Sequence, residues 1–540
     1  MYLSTSPALS SHLKMLLPSH YYLHLGPPNS GKTHDSLQAL VAAGGGWYLA
    51  PLRLLAFEVF ERLNQAGVPC NLLTGEEQIE VNGAVVTAAT VEMFNPLRSG
   101  ACVVVDEVHM LSDPARGWAW TRALLEAQAP AIHLIGSPLV RSLVQKLLTA
   151  SARPLTVIPH QRLSPLGVAR KPWKLEHLPP RTILVAFSRR MVLHLKSLLE
   201  RQGRRVSVIY GALPPEVRRN QAERFAQGTS DICIATDAVG MGLNLPADYV
   251  CFTETQKFDG QTIRPLSPLE VQQIGGRAGR YGLSIGGEVG ATNTLDLAVI
   301  RALHRAPVTP PLHAYVAPSV EELVGLPGTL AEKLTGWSEL HSVPLAYKSI
   351  LKPADLQERI ALASLLSLHD SAQLGLAAAV TLTNAPTRES SREYWLRCAS
   401  AIVGSDTLPL PPFPSLPITS QMNLERAETT IACADVYLWL AMRREFAQYG
   451  THKDTVSDLR ASWSQAVDEA LVSRLDTRLR CPRCRRPHKQ ATAHGTCTRR
   501  YEHRHRSGFK QKRVSSESRA SSPHTRKIAR GHKRSRGIQR

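Results

Sequence analysis

Three small groups of residues have the types and spacing for phosphate chemistry. The first is "GPPNSGKT" (26–33), which fits G-x-x-x-x-G-K-[ST], the phosphate-cradling loop. The candidate nucleotide site is the whole loop: Gly26, Pro27, Pro28, Asn29, Ser30, Gly31, Lys32 and Thr33. Its glycines let the backbone turn toward phosphate oxygens, Lys32 supplies a mobile positive charge, and Thr33 offers a hydroxyl to Mg²⁺. The second group closes "CVVVDEVHM" (102–110): Asp106 could hold Mg²⁺ and Glu107 could orient and deprotonate an attacking water. The third is "QQIGGRAGRYG" (272–282), in which Gln273, Gly276, Arg277, Gly279 and Arg280 lie on or beside one predicted helix. Arg277 and Arg280, three apart, would share a face and could stabilise charge developing on a γ-phosphate. Each group has a bland reading: an incidental loop, a capped strand, a solvated helix face.

The elements around these groups favour the chemical reading. "YYLHL" (21–25) reads as a buried strand and "THDSLQALVAA" (33–43) as a helix, so the glycine loop sits between strand and helix as a phosphate loop must. Further apolar runs follow at 46–50, 84–89, 102–107 and 131–137, with amphipathic helices between. Continuous Val/Ile/Leu runs alternating with helices indicate a parallel sheet covered on both faces. A second series, "ILVAFS" (183–188), "VSVIYG" (206–211), "DICIATD" (231–237) and "YVCFTET" (249–255), predicts a second α/β domain. The segment "RLSPLGVARKPWKLEHLPPR" (162–181) reads as the linker between them. From about 300 the alternation stops and helical patterns take over, including "AETTIACADVYLWLAMRREFAQYG" (427–450), while the Pro-rich "TLPLPPFPSLPIT" (407–419) is a loop. Tyr437 and Trp439 are expected as helix-packing core rather than base-stacking platforms.

Charge is uneven along the chain. Of 64 Lys+Arg and 44 Asp+Glu, residues 478–540 hold 21 and two, so nearly all of the net +20 sits there and the rest is close to neutral. Residues 498–540 are expected to form a disordered basic tail that binds nucleic acid through phosphate neutralisation. Just before it, Cys481, Cys484, His488 and Cys497, with His494 as an alternative fourth ligand, have spacing compatible with a Zn²⁺ knuckle; free thiols in a basic segment are the other reading. The remaining six of nine cysteines are scattered, several within predicted strands, as in a reducing compartment. No run of about 18 apolar residues is present, so no membrane partner is expected.

Together, G-x-x-x-x-G-K-T, D-E-x-H and Q-x-x-G-R-x-G-R, in that order across two α/β domains, resemble superfamily 2 DExH helicases. "PLRLLAFEVFERLNQAGVPCNLLTGEE", "TVEMF", "DEVHMLSDPARGWAWTRALL", "YGALPPEVR", "ATDAVGMGLNL" and "VYLWLAMRREF" are similar to the mitochondrial degradosome RNA helicase family and its bacterial relatives. The resemblance implies two RecA-like domains that bind ATP and Mg²⁺ between them and an α-helical C-terminal domain that closes an RNA channel. It implies that Lys32, Asp106, Glu107, Gln273, Arg277 and Arg280 are catalytic, that His109 couples the two lobes near Gln273, and that Arg53, Thr90 and Thr236 line the RNA backbone. The family's "SAT" triplet is replaced by "GSP" (136–138).

The expected fold class is α/β: residues 1–160 a RecA-like ATP-binding domain, 161–300 a second RecA-like domain, 301–477 an α-helical domain, 478–497 the zinc knuckle and 498–540 the tail. The expected function is ATP-dependent unwinding of RNA, 3′-to-5′ by the resemblance, acting in RNA turnover beside a 3′-to-5′ exoribonuclease. A DNA or RNA/DNA-hybrid translocase and a non-catalytic RNA-binding scaffold are the alternatives. The short stretch before the phosphate loop, without a presequence, favours a bacterial cytoplasmic relative, with a mitochondrial location as the alternative.

Overall fold

The structure is a computed structural model of the chain and describes residues 19–237, 245–260, 262–279, 286–340, 343 and 345–473. The zinc-ligand candidates Cys481, Cys484, His488, His494 and Cys497, the basic tail and Arg280 all lie outside the described residues.

Eight strands form the first sheet: β1 (His20–Leu25), β2 (Gly46–Ala50), β3 (Cys70–Leu73), β4 (Gln78–Ile79), β5 (Val86–Thr90), β6 (Cys102–Val105), β7 (Ala131–Gly136) and β8 (Leu155–Pro159). Their order is β4-β3-β5-β2-β6-β7-β1-β8, parallel throughout except for the short edge strand β4. The "CVVV" of β6 is buried at every position, as a central parallel strand with helices on both faces must be. Helices α1 (Lys32–Ala42), α2 (Arg53–Gln65) and α3 (Gly117–Glu126) cover it.

The second sheet is built from β9 (Leu166–Val168), β10 (Thr182–Val185), β11 (Val206–Ile209), β12 (Ile232–Ala235), β13 (Tyr249–Phe252) and β16 (Gly287–Ala291), in the order β11-β12-β10-β13-β16-β9. All its pairings are parallel. An antiparallel hairpin, β14 (Gln256–Phe258) and β15 (Ile263–Pro265), stands outside it. Helices α4 (Arg189–Arg201), α5 (Pro215–Ala226) and α6 (Pro268–Gly275) belong to this lobe.

Two expectations need correcting. Residues 162–181 are not merely a linker: Leu166–Val168 is the edge strand β9, paired with β16. A strand of three residues has too little alternation to announce itself. The region after 300 is also not purely helical. Ala314–Val316 and Leu351–Pro353 form a small parallel pair, and Ala314, Tyr347, Ile350 and Leu351 are buried in the core of the first sheet. The chain thus returns to the first lobe before its long helices begin.

Those helices, α7 (Gln421–Ala441) and α8 (Lys453–Val472), share one apolar core with the second sheet. Tyr437 and Trp439 are buried in it beside Trp395, as the sequence suggested. Fourteen of the 21 residues of α7 are buried, so it is a central helix rather than a surface one. Its Glu428 accepts from Tyr210 Oη (2.6 Å) and pairs with Arg189 Nε (2.9 Å). Burial pushes the Glu428 carboxyl up while Arg189 pulls it down.

Removing one member of a buried pair strands the other charge, which costs about 3 to 5 kcal/mol. Glu428→Ala is therefore expected to lower unfolding stability by about that much in a urea titration. A loss below about 0.5 kcal/mol, the size usual for surface changes, would mean that the pair contributes nothing at this junction.

Candidate functional site: a nucleotide cleft between two parallel sheets

Ligands of open parallel sheets bind beyond the carboxyl ends of the strands. The phosphate loop leaves β1 there, and Asp106 follows β6 at the same edge, with β7 between the two strands. Gly26 N–H donates to Gly136 O at the end of β7 (3.2 Å), and a Cβ at Gly26 would lie 2.5 Å from His160 O, so only glycine fits. Asn29 and Gly31 adopt left-handed φ angles of 59° and 83° to complete the turn. Helix α1 starts at Lys32 and points its unpaired N-terminal N–H groups at the loop, a ready anion site.

Lys32 Nζ is folded onto the loop, donating to Gly26 O (2.8 Å), Pro27 O (2.6 Å) and Ser30 Oγ (3.1 Å). Burial lowers its pKa, while the charges of Glu107 and Asp106 raise it. These donors and the cradle around Gly26 suit a polyphosphate: the ammonium has only carbonyl and hydroxyl partners that an anion could replace.

Asp106 is buried. Its Oδ2 accepts from Tyr48 Oη (2.5 Å), its Oδ1 accepts from Glu107 N (2.8 Å), and Trp120 Nε1 donates to its backbone oxygen (2.8 Å). Burial and the neighbouring Glu107 raise its pKa to about 6. A buried carboxylate with a raised pKa beside a second carboxylate and a lysine is a site that would gain from a divalent cation. Glu107 itself sits at φ 48°, an uncommon left-handed conformation for a non-glycine residue. That strain turns it away from the strand direction, with Oε2 3.3 Å from His109 Nδ1.

The other lobe meets this edge through α6 and the turn after it. Helix α6 starts with Pro268 behind a capping box, Ser267 with Glu270, and ends at Gly275. Arg277 lies beside the helix, one of the two placements the sequence offered, in the turn that follows, where Gly279 takes φ 74°. The run Gly275–Gly276 permits that early stop. Burial lowers the Arg277 pKa, while the charges of Glu107 and then Asp106 raise it. Gln273 Nε2 lies 3.4 Å from His109 Nε2, which makes His109 the bridge between Glu107 and the second lobe.

Sequence reasoning missed Arg162. Its Nη1 donates to Pro28 O (3.3 Å) and Gly276 O (3.0 Å), its Nη2 donates to Ala278 O and Gly279 O, and its Nε donates to Ser164 O (2.8 Å). Ser164 Oγ and Asn29 Nδ2 also donate to Gly279 O. One guanidinium thus ties the phosphate loop to the glycine-rich turn of the other lobe. The planar fork of an arginine inside a Pro- and Gly-rich stretch was the available signal.

The three candidate RNA contacts sit in different settings. Thr90 and Thr236 are buried at the carboxyl ends of β5 and β12, and Thr236 lines a cavity with Ser188, Gly211 and Ala212. Arg53, by contrast, is engaged by carboxylates: Glu76 at 2.5 Å and Asp435 at 4.0 Å. In the "GSP" triplet, Ser137 caps the short turn Pro138–Val140. Its hydroxyl accepts from Leu139 N (3.4 Å), a local contact within the first lobe.

Residues 13–160 match the "DEXQ-box helicase domain of Suv3", and residues 170–282 match the "Helicase conserved C-terminal domain". Among curated proteins, the chain is 41% identical over 298 residues to the ATP-dependent RNA helicase SUV3, mitochondrial, of Saccharomyces cerevisiae, covering 53% of this chain and 40% of that one. It is 40% identical over 324 residues to the DExH-box ATP-dependent RNA helicase DExH16, mitochondrial, of Arabidopsis thaliana, covering 59% and 55%. It is 38% identical over 314 residues to the ATP-dependent RNA helicase SUPV3L1, mitochondrial, of Homo sapiens, covering 56% and 40%. The match thus spans about half or less of each relative's length. The loop and the acidic pair thus lie in the segment that matches a Suv3-type DEXQ-box helicase domain, and the arginine turn lies in the segment that matches a helicase C-terminal domain.

Proposed function

We propose that the chain is an ATP-dependent RNA helicase that moves along single-stranded RNA, 3′-to-5′, and separates duplexes. The observation that carries this reading is the approach of Gln273 from one lobe to His109 of the other, beside the Arg162 fork that ties the phosphate loop to the turn carrying Arg277. A hydrolytic site divided between two lobes links turnover to their relative movement, which is what translocation requires.

In this reading Lys32 exchanges its loop carbonyls for phosphate oxygens. When bound, Mg²⁺ neutralises phosphate charge, and Thr33 and Asp106 are the residues that would hold it. Glu107 takes a proton from the water that attacks the γ-phosphorus, and the bond to the ADP oxygen breaks. Arg277, with Arg280, meets the charge that develops on the transferred group. His109 reports the position of Gln273 to Glu107. Arg162 holds the turn that carries Arg277 against the loop.

The proposed division is an ATP-binding lobe over 1–160 and a second lobe over 161–300. The region 301–477 forms the remainder, of which Ala314, Tyr347, Ile350 and Leu351 are buried in the core of the first lobe. A zinc knuckle at 478–497 and an RNA-anchoring tail at 498–540 remain part of the proposal on sequence grounds. So do a role in RNA turnover and a 3′-to-5′ exoribonuclease partner. The relatives are mitochondrial by name, which favours a mitochondrial location over the bacterial cytoplasmic expectation. Among the described residues, no helix is long and apolar enough to cross a membrane.

The test is ATP turnover stimulated by RNA and by DNA of the same sequence, with strand displacement on 3′-tailed, 5′-tailed and blunt duplexes. Stimulation by RNA and unwinding from a 3′ tail are expected. Equal stimulation by DNA would favour a general translocase, since the 2′-OH is what lets a protein tell RNA from DNA at a given site. Absence of turnover would favour an RNA-binding scaffold.

Glu107→Gln is expected to bind ATP and to lose turnover by about 10² or more, the scale of general-base catalysis; near-normal hydrolysis would remove the base from Glu107. Arg162→Ala should reduce RNA-stimulated turnover by about tenfold or more, because several cross-lobe hydrogen bonds of about 1 kcal/mol each are lost. Arg162→Lys should not restore it, since one ammonium cannot span those carbonyls. Removing residues 498–540, with 15 Lys+Arg, should leave turnover at saturating RNA intact while flattening the salt dependence of RNA binding. Each engaged phosphate contact accounts for about 0.7 of the log–log slope. An unchanged slope would show that the tail does not anchor RNA.

A further inference from the structure

Three neighbouring strands of the first sheet, in the order β5-β2-β6, end at segments that helix α3 holds together. At the end of β6, the fully buried Trp120 donates its indole Nε1 to Asp106 O (2.8 Å). After β2, Pro51 O accepts from Arg116 Nη2 (2.7 Å). After β5, Glu92 Oε1 accepts from Arg116 Nε (3.0 Å) and Nη2 (2.7 Å). The same guanidinium stands 5.3 Å from the centre of the Trp120 ring, a cation–π contact. Arg122, further along the helix, holds the main chain of the β5 exit, donating Nη2 to Phe94 O (2.6 Å). Arg116 is thus the side chain that spans the β2 and β5 exits at once.

The local sequence presets this arginine. Asp113 Oδ1 accepts from Arg116 N (2.8 Å) and Ala115 N (3.0 Å), which fixes the turn into α3. A Cβ at Gly117 would lie 2.5 Å from Leu111 O, so the backbone there approaches too closely for any other residue. Stability does not explain the effort. The Arg116 and Glu92 side chains are 38% and 30% exposed, and an ion pair in such a setting adds little to folding. Folding alone does not account for a fork that spans two strand exits and gives up side-chain freedom to do so.

We propose that Arg116 is a positioning residue that couples the β2 and β5 exit segments to the carboxylate pair, and that RNA stimulates ATP hydrolysis through it. The proposal rests on the RNA reading above, in which the strand meets Arg53 and Thr90. Pro51 and Glu92 each lie two residues from those positions. A shift of either segment moves the Arg116 fork, and the fork moves the first turn of α3 with the Trp120 ring beneath it. Trp120 in turn moves the peptide between Asp106 and Glu107, whose carbonyl it holds. Glu107 sits at φ 48°, in a narrow allowed region, so its backbone has little room to absorb that shift and its carboxylate follows. Coupling between two sites needs an element that both bias, and α3 is that element.

The test is ATP turnover by the full chain without RNA and at saturating oligouridylate, with RNA affinity by fluorescence anisotropy and thermal melting of each variant. Arg116→Ala should melt as the wild type does and keep its basal turnover, its RNA affinity and its KM for ATP within about twofold, while its RNA-stimulated kcat falls about tenfold. Arg116→Lys should not restore the stimulation, since a single ammonium lacks the fork that reaches Pro51 O and Glu92 together. Glu92→Gln keeps an acceptor for the guanidinium and should keep most of the stimulation, whereas Glu92→Ala should lose it. Full stimulation in Arg116→Ala at unchanged RNA affinity would overturn the proposal. Basal and stimulated turnover falling together would also overturn it, as the mark of a merely structural residue. Weaker RNA binding with full stimulation at saturation would overturn it in favour of a direct RNA contact. If Arg116→Ala does not fold, the Glu92 pair decides, and equal stimulation in Glu92→Ala and Glu92→Gln overturns the coupling. A wild-type chain whose turnover RNA does not stimulate would overturn the RNA reading and the coupling with it.

Discussion

Everything in the site depends on one constraint: its candidate groups come from two separate lobes and share a cleft only where those lobes meet. Parallel strands deliver their loops to one edge each, so the phosphate loop and Asp106 necessarily share an edge. Nothing in that rule brings Arg277 to them. Arg162 does much of this work by giving both ends of its fork to backbone carbonyls, those of Pro28 on one side and of Gly276, Ala278 and Gly279 on the other. Backbone acceptors on glycine turns can approach a guanidinium closely, which is why the contact uses carbonyls and not carboxylates.

The same division into parts explains where charge has been buried. Apolar packing joins α7 and α8 to the second lobe in one core, a permanent contact. The contact of α7 with the first lobe is of another kind. Arg443 stacks on Trp439 of the same chain end (4.1 Å) and donates to Gly75 O (3.1 Å), while Asp435 faces Arg53. Polar contacts of this sort can be exchanged for water at little net cost, whereas an apolar core cannot. Helix α7 therefore meets the second lobe through an apolar seam and the first through a more polar one.

Much of this was legible in the sequence. The glycine loop, the acid pair and the buried strands are local signals: each needs only a few neighbouring residues to be physically sensible. The two α/β lobes followed from runs such as "CVVV" and "ICIA", which can only be central strands. The six scattered cysteines read as small buried residues, and all six are free and buried. Less was legible where a residue's surroundings depend on a distant partner. The resemblance placed Arg53 on the RNA backbone, and the structure adds its partners Glu76 and Asp435, the latter hundreds of residues away. The sequence placed Arg277 on or beside a helix, and the structure puts it in the turn just after one.

By itself the sequence determined the chemistry available, since residue type and short spacing decide which atoms can bind a phosphate or activate a water. It also determined the fold class, because hydrophobic period and length decide strand from helix. Tertiary structure alone decided which groups share a cleft. The tie of the Arg277 turn to the phosphate loop, the bridge of His109 between Glu107 and Gln273, and the burial of Ala314, Tyr347, Ile350 and Leu351 in the first core are products of long-range packing. Tertiary structure also decided which carboxylates pair with Arg53 and Arg460. Charge compensation is a property of what lies within a few ångströms in space, and no local pattern in the chain encodes it.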